Sequence, residues 1–339
     1  MSDRSTARTD RARAALWGLA VGDALGMPTQ MMSRDTVRRR FGRIESFQPA
    51  ADDHPLAAGM PAGSVTDDTE QAVLLGEHLL RRAGHVDPRE LASELVAWED
   101  DMRERGSLDL LGPSTKAAVA SIMAGVRVDE AGRFGTTNGA AMRIAPVGIL
   151  MPSGDLPALV DRVVEASMVT HNTGVAIAGA AAVAAAVSAA VDGVGLDDIF
   201  RIAVDAAELG ATRGNWVAAA DVGRRIEWAV ELADRADPEN SELELYRTIG
   251  TSLATQESVP AAFGILALYP GDPWGACCAA ASLGGDSDTV AAMAGAIGGG
   301  SAGLDAFPDG ALETLRRVNG FGTSAPDIDD LAAGLLALR

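Results

Sequence analysis

The sequence predicts an all-α protein, and three observations carry that prediction. Apolar residues recur at helical spacing along nearly the whole chain, alternating strand patterns of useful length are nearly absent, and no strand–helix–strand rhythm appears. A doubly wound parallel sheet or a barrel is therefore a poor candidate, despite 38 glycines. Of 339 residues, 47% are hydrophobic and 22% charged, enough to bury a sizeable core. Only 4% are aromatic while Ala and Gly abound, so small side chains must pack that core at close helix–helix approach. No repeat of fixed period, low-complexity linker or shift in composition marks a boundary, and residues 1–339 are expected to form a single compact domain.

The first helix is expected over 12–25. Residues 4–13 are basic and 14–27 apolar apart from Asp23, a superficial likeness to a secretory leader. The charge inside the apolar stretch and the lack of a clear cleavage site favour a plain helix. Next comes a long non-helical stretch, 44–66, with three prolines and two glycines directly before an acidic cluster. That is the profile of a binding loop, with a surface connection as the alternative. A helix over 67–83 repeats Ala72, Leu75 and Leu79 at helical spacing and stops at Gly84.

Further helices are expected over 87–104, 114–125, 139–151, 156–169 and 173–192. The uncharged run 175–191 is at the lower limit for a membrane span, but it is nearly all Ala and Val, and alanine is weakly lipophilic. A buried central helix is the better reading. The remaining helices are expected over 197–208, 214–234, 240–252, 272–282, 288–299, 309–317 and 326–338. Trp17, Trp98, Trp216, Trp228, Trp274, Tyr246 and Tyr269 fall mostly in these patterns and read as core.

A net charge of −19 repels phosphate backbones and anionic lipid, so neither nucleic acid nor a membrane surface is an expected partner. A phosphate-bearing small ligand stays open, because a cation in the site reverses the local field. Cys277 and Cys278 are adjacent, which is neither a disulfide framework nor a zinc pattern. They read as core filler in a reducing cytoplasm.

Two short segments, more than 200 residues apart, carry the chemistry: Ser64-Val65-Thr66-Asp67-Asp68-Thr69-Glu70 and Gly284-Gly285-Asp286-Ser287-Asp288-Thr289. Each sets carboxylates and a threonine at the start of a predicted helix. Helix capping explains one such side chain, yet each segment supplies two aspartates plus hydroxyls. Adjacent carboxylates repel unless a cation neutralises them. The four histidines (His54, His78, His85 and His171) lack zinc-ligand spacing, so an oxygen-only set for magnesium or manganese is the expected site. If the helix starts converge, they can hold a pair of ions. A Gly-rich turn, Phe134 to Arg143, and the polar run Thr170-His171-Asn172-Thr173 are weaker candidates for ligand contact.

Taken in order, GDALG at 22–26, TDDT at 66–69, TNGAAMRIAP at 137–146, TH at 170–171 and GGDSDT at 284–289 resemble the ADP-ribosylglycohydrolase superfamily, over roughly residues 12–300. The resemblance implies an all-α fold and a dinuclear magnesium or manganese centre that activates water beside ribose C1. It makes Thr66, Asp67, Asp68, Asp286, Asp288 and Thr289 the metal ligands, with Asp67 or Asp288 as catalytic base. It places Thr137, Asn138, Gly139 and His171 around the ribose and phosphate, and Asp23 in a structural role, tying its helix to the neighbouring loop.

One departure stands out. Some protein-deribosylating relatives carry a glutamate a few residues after GDALG, where this chain has Gln30 in Met27-Pro28-Thr29-Gln30. A neutral amide is neither base nor anionic ligand, so an N-ribosyl hydrolase acting on a nucleoside or another small ribosyl metabolite is the alternative to an ADP-ribosylated protein substrate. A metal-dependent phosphohydrolase would show paired His-Asp or Glu-x-x-Glu signatures. A non-catalytic nucleotide-sugar module would have lost a ligand, and all six ligand positions are intact.

Overall fold

The structure, a computed structural model, describes residues 2–104 and 112–339. Helices supply the regular secondary structure, and pairing of β type among the described residues is confined to isolated bridges such as Thr137 with Ala254 and Thr173 with Asn215.

The expected central helix is Gly174–Val191, and its residues from Val175 to Val191 are all buried. It is long and apolar enough to cross a membrane, yet here it is enclosed by other helices. Thr173 starts it by accepting a hydrogen bond from the Ala176 N–H.

The N-terminal helix, Ser2–Gly26, lies against Ser287–Ala302 with almost no space between backbones. A Cβ added to Gly18 would stand 2.1 Å from the Gly295 carbonyl oxygen, and one on Gly22 2.0 Å from that of Ala291. The four-residue spacing of Gly18, Gly22 and Gly26 puts these glycines on one face, so the two helices meet backbone to backbone. This contact fixes where Asp23 and Asp288 sit.

Several expected elements take another form. The first helix begins at Ser2, ten residues earlier than the apolar pattern, because the residues from Thr6 to Arg11, exposed or half-buried, carry no apolar stripe. The element expected over 214–234 is helical only at Val222–Glu231, and Trp216 on the preceding irregular segment is 87% exposed rather than core. The 139–151 element breaks at Arg143 and Ile144 into Gly139–Met142 and Ala145–Leu150, with Pro146 in the first turn of the second. The 240–252 element is Pro238–Glu244 followed by a single π-helical turn, Leu245–Ile249.

Two helices longer than a single turn lie outside the expected set. Arg34–Arg40 is short and basic. Thr255–Leu268 is almost wholly buried although Pro260 removes a rung of its hydrogen-bond ladder.

Candidate active site

Two helix starts face one cavity of about 250 Å³. One is the first turn of Asp67–Arg81, the other the first turn of Ser287–Ala302, so the two acidic segments do converge. Asp67, Asp68, Asp286, Asp288 and Thr289 line the cavity together with Gln30, Thr137, Asn138 and Gly139.

Asp23 organises one of these helix starts. Its carboxylate accepts from the Thr66 N–H at 2.9 Å and hydroxyl at 2.7 Å, and from the Thr69 N–H at 3.1 Å and hydroxyl at 2.5 Å. It thereby caps Asp67–Arg81 from a different helix, the tie expected of it, and its oxygens are saturated. Burial raises its pKa to about 6, against the pull of the Thr69 and Thr66 bonds.

The other start is held from behind. The Asp286 N–H donates to the Thr251 carbonyl at 2.6 Å, and the Asn138 amide donates to both the Asp286 carboxylate and the Ser258 hydroxyl. Burial lifts Asp286 to about 6 against the Asn138 bond. Asp67, Asp68 and Asp288 are pushed well above the ordinary carboxylate range, first by burial and then by neighbouring aspartates. Two oxygens, Asp68 Oδ1 and Asp288 Oδ1, are buried without any hydrogen-bond partner. Buried carboxylates with orphaned oxygens, crowded against like charges, fit the coordination of hard cations.

Two expected site residues stand behind the cavity wall. Thr66 is fully buried, its hydroxyl shared between Asp23 and Asp68. His171 is also fully buried, 2.9 Å from the Thr137 hydroxyl, and a Cβ on Gly139 would lie 2.8 Å from its ring. Thr137 and Gly139 therefore stand between His171 and any ligand.

The loop over 44–66 reaches the site through His54. Its Nδ1 accepts from the Leu56 and Ala57 N–H groups, so the neutral ring donates from Nε2 to the Gln30 carbonyl at 3.1 Å. That pins the Gln30 backbone, while the buried Gln30 Nε2 has no partner.

Sequence reading missed Lys116 and Leu253, and it named Arg143 only as the end of the Gly-rich turn. The first two line the cavity from segments with no distinguishing pattern. Arg143 is 1% exposed, and its place in the apolar run Ala140-Ala141-Met142-Arg143-Ile144-Ala145 was the available signal.

Among the described residues, the one set of three ligand-type side chains converging within 4.8 Å lies elsewhere, at His78, Glu90 and Glu94. Its groups already have partners: Arg81 and His78 hold Glu94, Arg82 holds Glu90, and the Asp87 N–H donates to His78 Nε2 at 3.0 Å. It is an ion-paired helix junction.

An all-helical frame that buries two acidic helix starts around one cavity is the architecture of a glycosidase-type hydrolase of one family. The chain belongs to the ADP-ribosylglycohydrolase family, whose model matches residues 4–339. It is 35% identical to YegU of Escherichia coli (strain K12) over 92% of this chain and 93% of that protein. It is 26% identical to the ADP-ribosyl-[dinitrogen reductase] glycohydrolase of Rhodospirillum rubrum, over 90% of each. The fold is similar to a solved ADP-ribosylglycohydrolase-related protein complex, with a TM-score of 0.72 at 24% identity, covering 98% of this chain and 99% of that one.

Proposed function

We propose that the protein, acting as one domain in the cytoplasm, is a divalent-metal-dependent glycohydrolase that cleaves the bond at ribose C1 of an ADP-ribosylated substrate. The observation that carries this reading is the pair of buried, partnerless carboxylate oxygens, Asp68 Oδ1 and Asp288 Oδ1, on opposite helix starts of one cavity. Asp67 and Asp68, with Thr66 braced behind them, would hold two magnesium or manganese ions from one side, with Asp286, Asp288 and Thr289 on the other. Bound there, such ions supply Lewis acidity to ribose hydroxyls and to water.

The chain's own residues do the rest. Asp67 or Asp288 takes the proton of the attacking water at a carboxylate oxygen. The anionic wall favours the positive charge that builds on the ribose ring as the bond breaks. Thr137, Asn138 and Gly139 border the ligand, and Asn138 also orients Asp286. Gln30 lies at the same cavity and, as an amide, positions a group without exchanging a proton with it. Its partners would be an ADP-ribosylated protein, as the name of the Rhodospirillum rubrum relative describes for that enzyme, or a ribosyl-containing small molecule. Two buried free thiols support a reducing compartment.

One observation favours a second reading, hydrolysis of a nucleoside or other small N-ribosyl metabolite. The cavity is small, and among the described residues no aromatic side chain lines it to stack an adenine. Incubation with manganese or magnesium and a panel of ADP-ribosyl-arginine and ADP-ribosyl-serine peptides, free ADP-ribosyl compounds and nucleosides separates the two. Chelator-sensitive release of ADP-ribose supports the first, and release of free base and ribose alone transfers the case to the second. Full activity of an Asp288→Ala variant would sink both.

A further inference from the structure

A buried hydrogen-bond chain runs behind the cavity, and its direction is set at one end. Arg143 is 1% exposed, and its Nη2 donates to the Thr170 hydroxyl at 2.7 Å. A guanidinium can only donate, so Thr170 Oγ1 is an acceptor there. The same hydroxyl lies 2.7 Å from His171 Nδ1. Thr170 is fully buried and must place its own proton on an acceptor, and His171 Nδ1 is the acceptor within reach. The ring is then unprotonated at Nδ1 and carries its proton on Nε2, which lies 2.9 Å from the Thr137 hydroxyl. Burial and the adjacent Arg143 charge keep His171 neutral. Thr137 accepts from His171, so its own proton has to leave in another direction, and Thr137 lines the cavity.

A second arm starts from the same guanidinium. Arg143 Nη1 donates to Gln71 Oε1 at 2.8 Å, which turns the Gln71 amide N–H₂ toward Asp67 Oδ2 at 3.4 Å. One buried cation thus orders a wall on the ligand side and a carboxylate on the metal side.

We propose that Arg143 is a positioning residue whose relay through Thr170 and His171 makes Thr137 an obligate hydrogen-bond donor to an acceptor oxygen of the bound ligand. His171 is a relay in this scheme, neither a base nor a direct ligand contact. The inference rests on the ADP-ribosyl reading only for the choice of ligand; the direction of the relay stands apart from it. The acceptor is an oxygen of a phosphoryl group or of the distal ribose.

The test combines a spectroscopic readout with binding. In the holoprotein labelled with ¹⁵N-histidine, the His171 ring nitrogens should show a neutral imidazole with the proton on Nε2. In Thr170→Val, which keeps the shape and deletes the relay hydroxyl, the signature should shift toward the other tautomer or a mixture. The Nδ1–H form in the wild type, or no change in Thr170→Val, overturns the relay. Thr137→Val should bind ADP-ribose about ten- to a hundredfold more weakly in calorimetry, and Thr137→Ser should restore affinity to within about threefold. Equal weakening toward ADP would assign the acceptor to the phosphoryl oxygens; weakening toward ADP-ribose alone would assign it to the distal ribose. Wild-type affinity of Thr137→Val for both probes overturns the donor role. Failure of the wild-type protein to bind ADP-ribose would sink the substrate reading, while the His171 tautomer still decides the relay.

Discussion

Gly26 lies so close to Asp288 that a Cβ on the glycine would stand 2.3 Å from the aspartate's Cα. The obstacle is backbone, which cannot swing aside as a flexible side chain would. Gly26→Ala is therefore expected to displace the start of Ser287–Ala302 and with it Asp288. Overpacking of this kind costs about 1–3 kcal/mol, more than the roughly 1 kcal/mol gained in helix propensity. Calorimetric titration with manganese should show weakened binding in a variant that still folds, with a lowered Tm. Unchanged metal affinity would refute the coupling.

Asp23 is expected to matter for stability rather than chemistry. Its two oxygens serve four donors from Thr66 and Thr69, all buried. In Asp23→Asn one oxygen becomes an NH₂ that confronts those donors, which leaves at least one of them unpaired. A loss of about 2–4 kcal/mol in denaturant unfolding is expected, since a buried unsatisfied donor alone costs about 1–3 kcal/mol. A loss below about 0.5 kcal/mol would show that Asp67–Arg81 does not depend on this cap.

The metal-free protein should become less stable as pH rises from about 4 to neutrality. Asp286, raised to about 6, and Asp67, Asp68 and Asp288, raised well above the ordinary value, hold protons in the native state that the unfolded chain has released. The native state therefore binds more protons in that window, and its stability falls with rising pH. Thermal unfolding in chelator should give a Tm several degrees higher near pH 5 than near pH 7.5. Asp288→Asn should flatten this slope, and manganese should reverse it. A chelated protein that gains stability across the same interval contradicts the crowding of these carboxylates.

Gln30→Glu adds a further carboxylate to a cavity that already collects four aspartates. Tighter binding of manganese is expected, together with a metal-free Tm lower than that of the wild type because like charges are crowded further. A shift in the preferred leaving group between the wild type and this variant in the product assay would place Gln30 beside that group. Identical metal affinity, Tm and substrate preference would show that its side chain is remote from the chemistry.

The outcome at particular residues shows what could be read before the fold was known. Helical spacing and capping are local physics, so the starts at Asp67 and Ser287, the central helix Gly174–Val191 and the excess of aspartates over capping needs were all visible in the sequence by itself. Local rules failed where burial overrides propensity. Thr255–Leu268 tolerates Pro260 because nearly all of its residues are buried. The segment before Val222 has helical spacing but forms no helix, and its Trp216 is exposed. Only the tertiary structure decided which side of the cavity wall each polar residue occupies. His171 and Thr66 stand behind it, Gln30 on it, and Arg143, the buried cation that orders the wall, is joined to residues more than 20 positions away in either direction. The physical reason is one of range. A helix start is written in four or five consecutive residues, whereas the direction of a hydrogen bond or the neighbours of a buried charge depend on packing between helices distant in sequence.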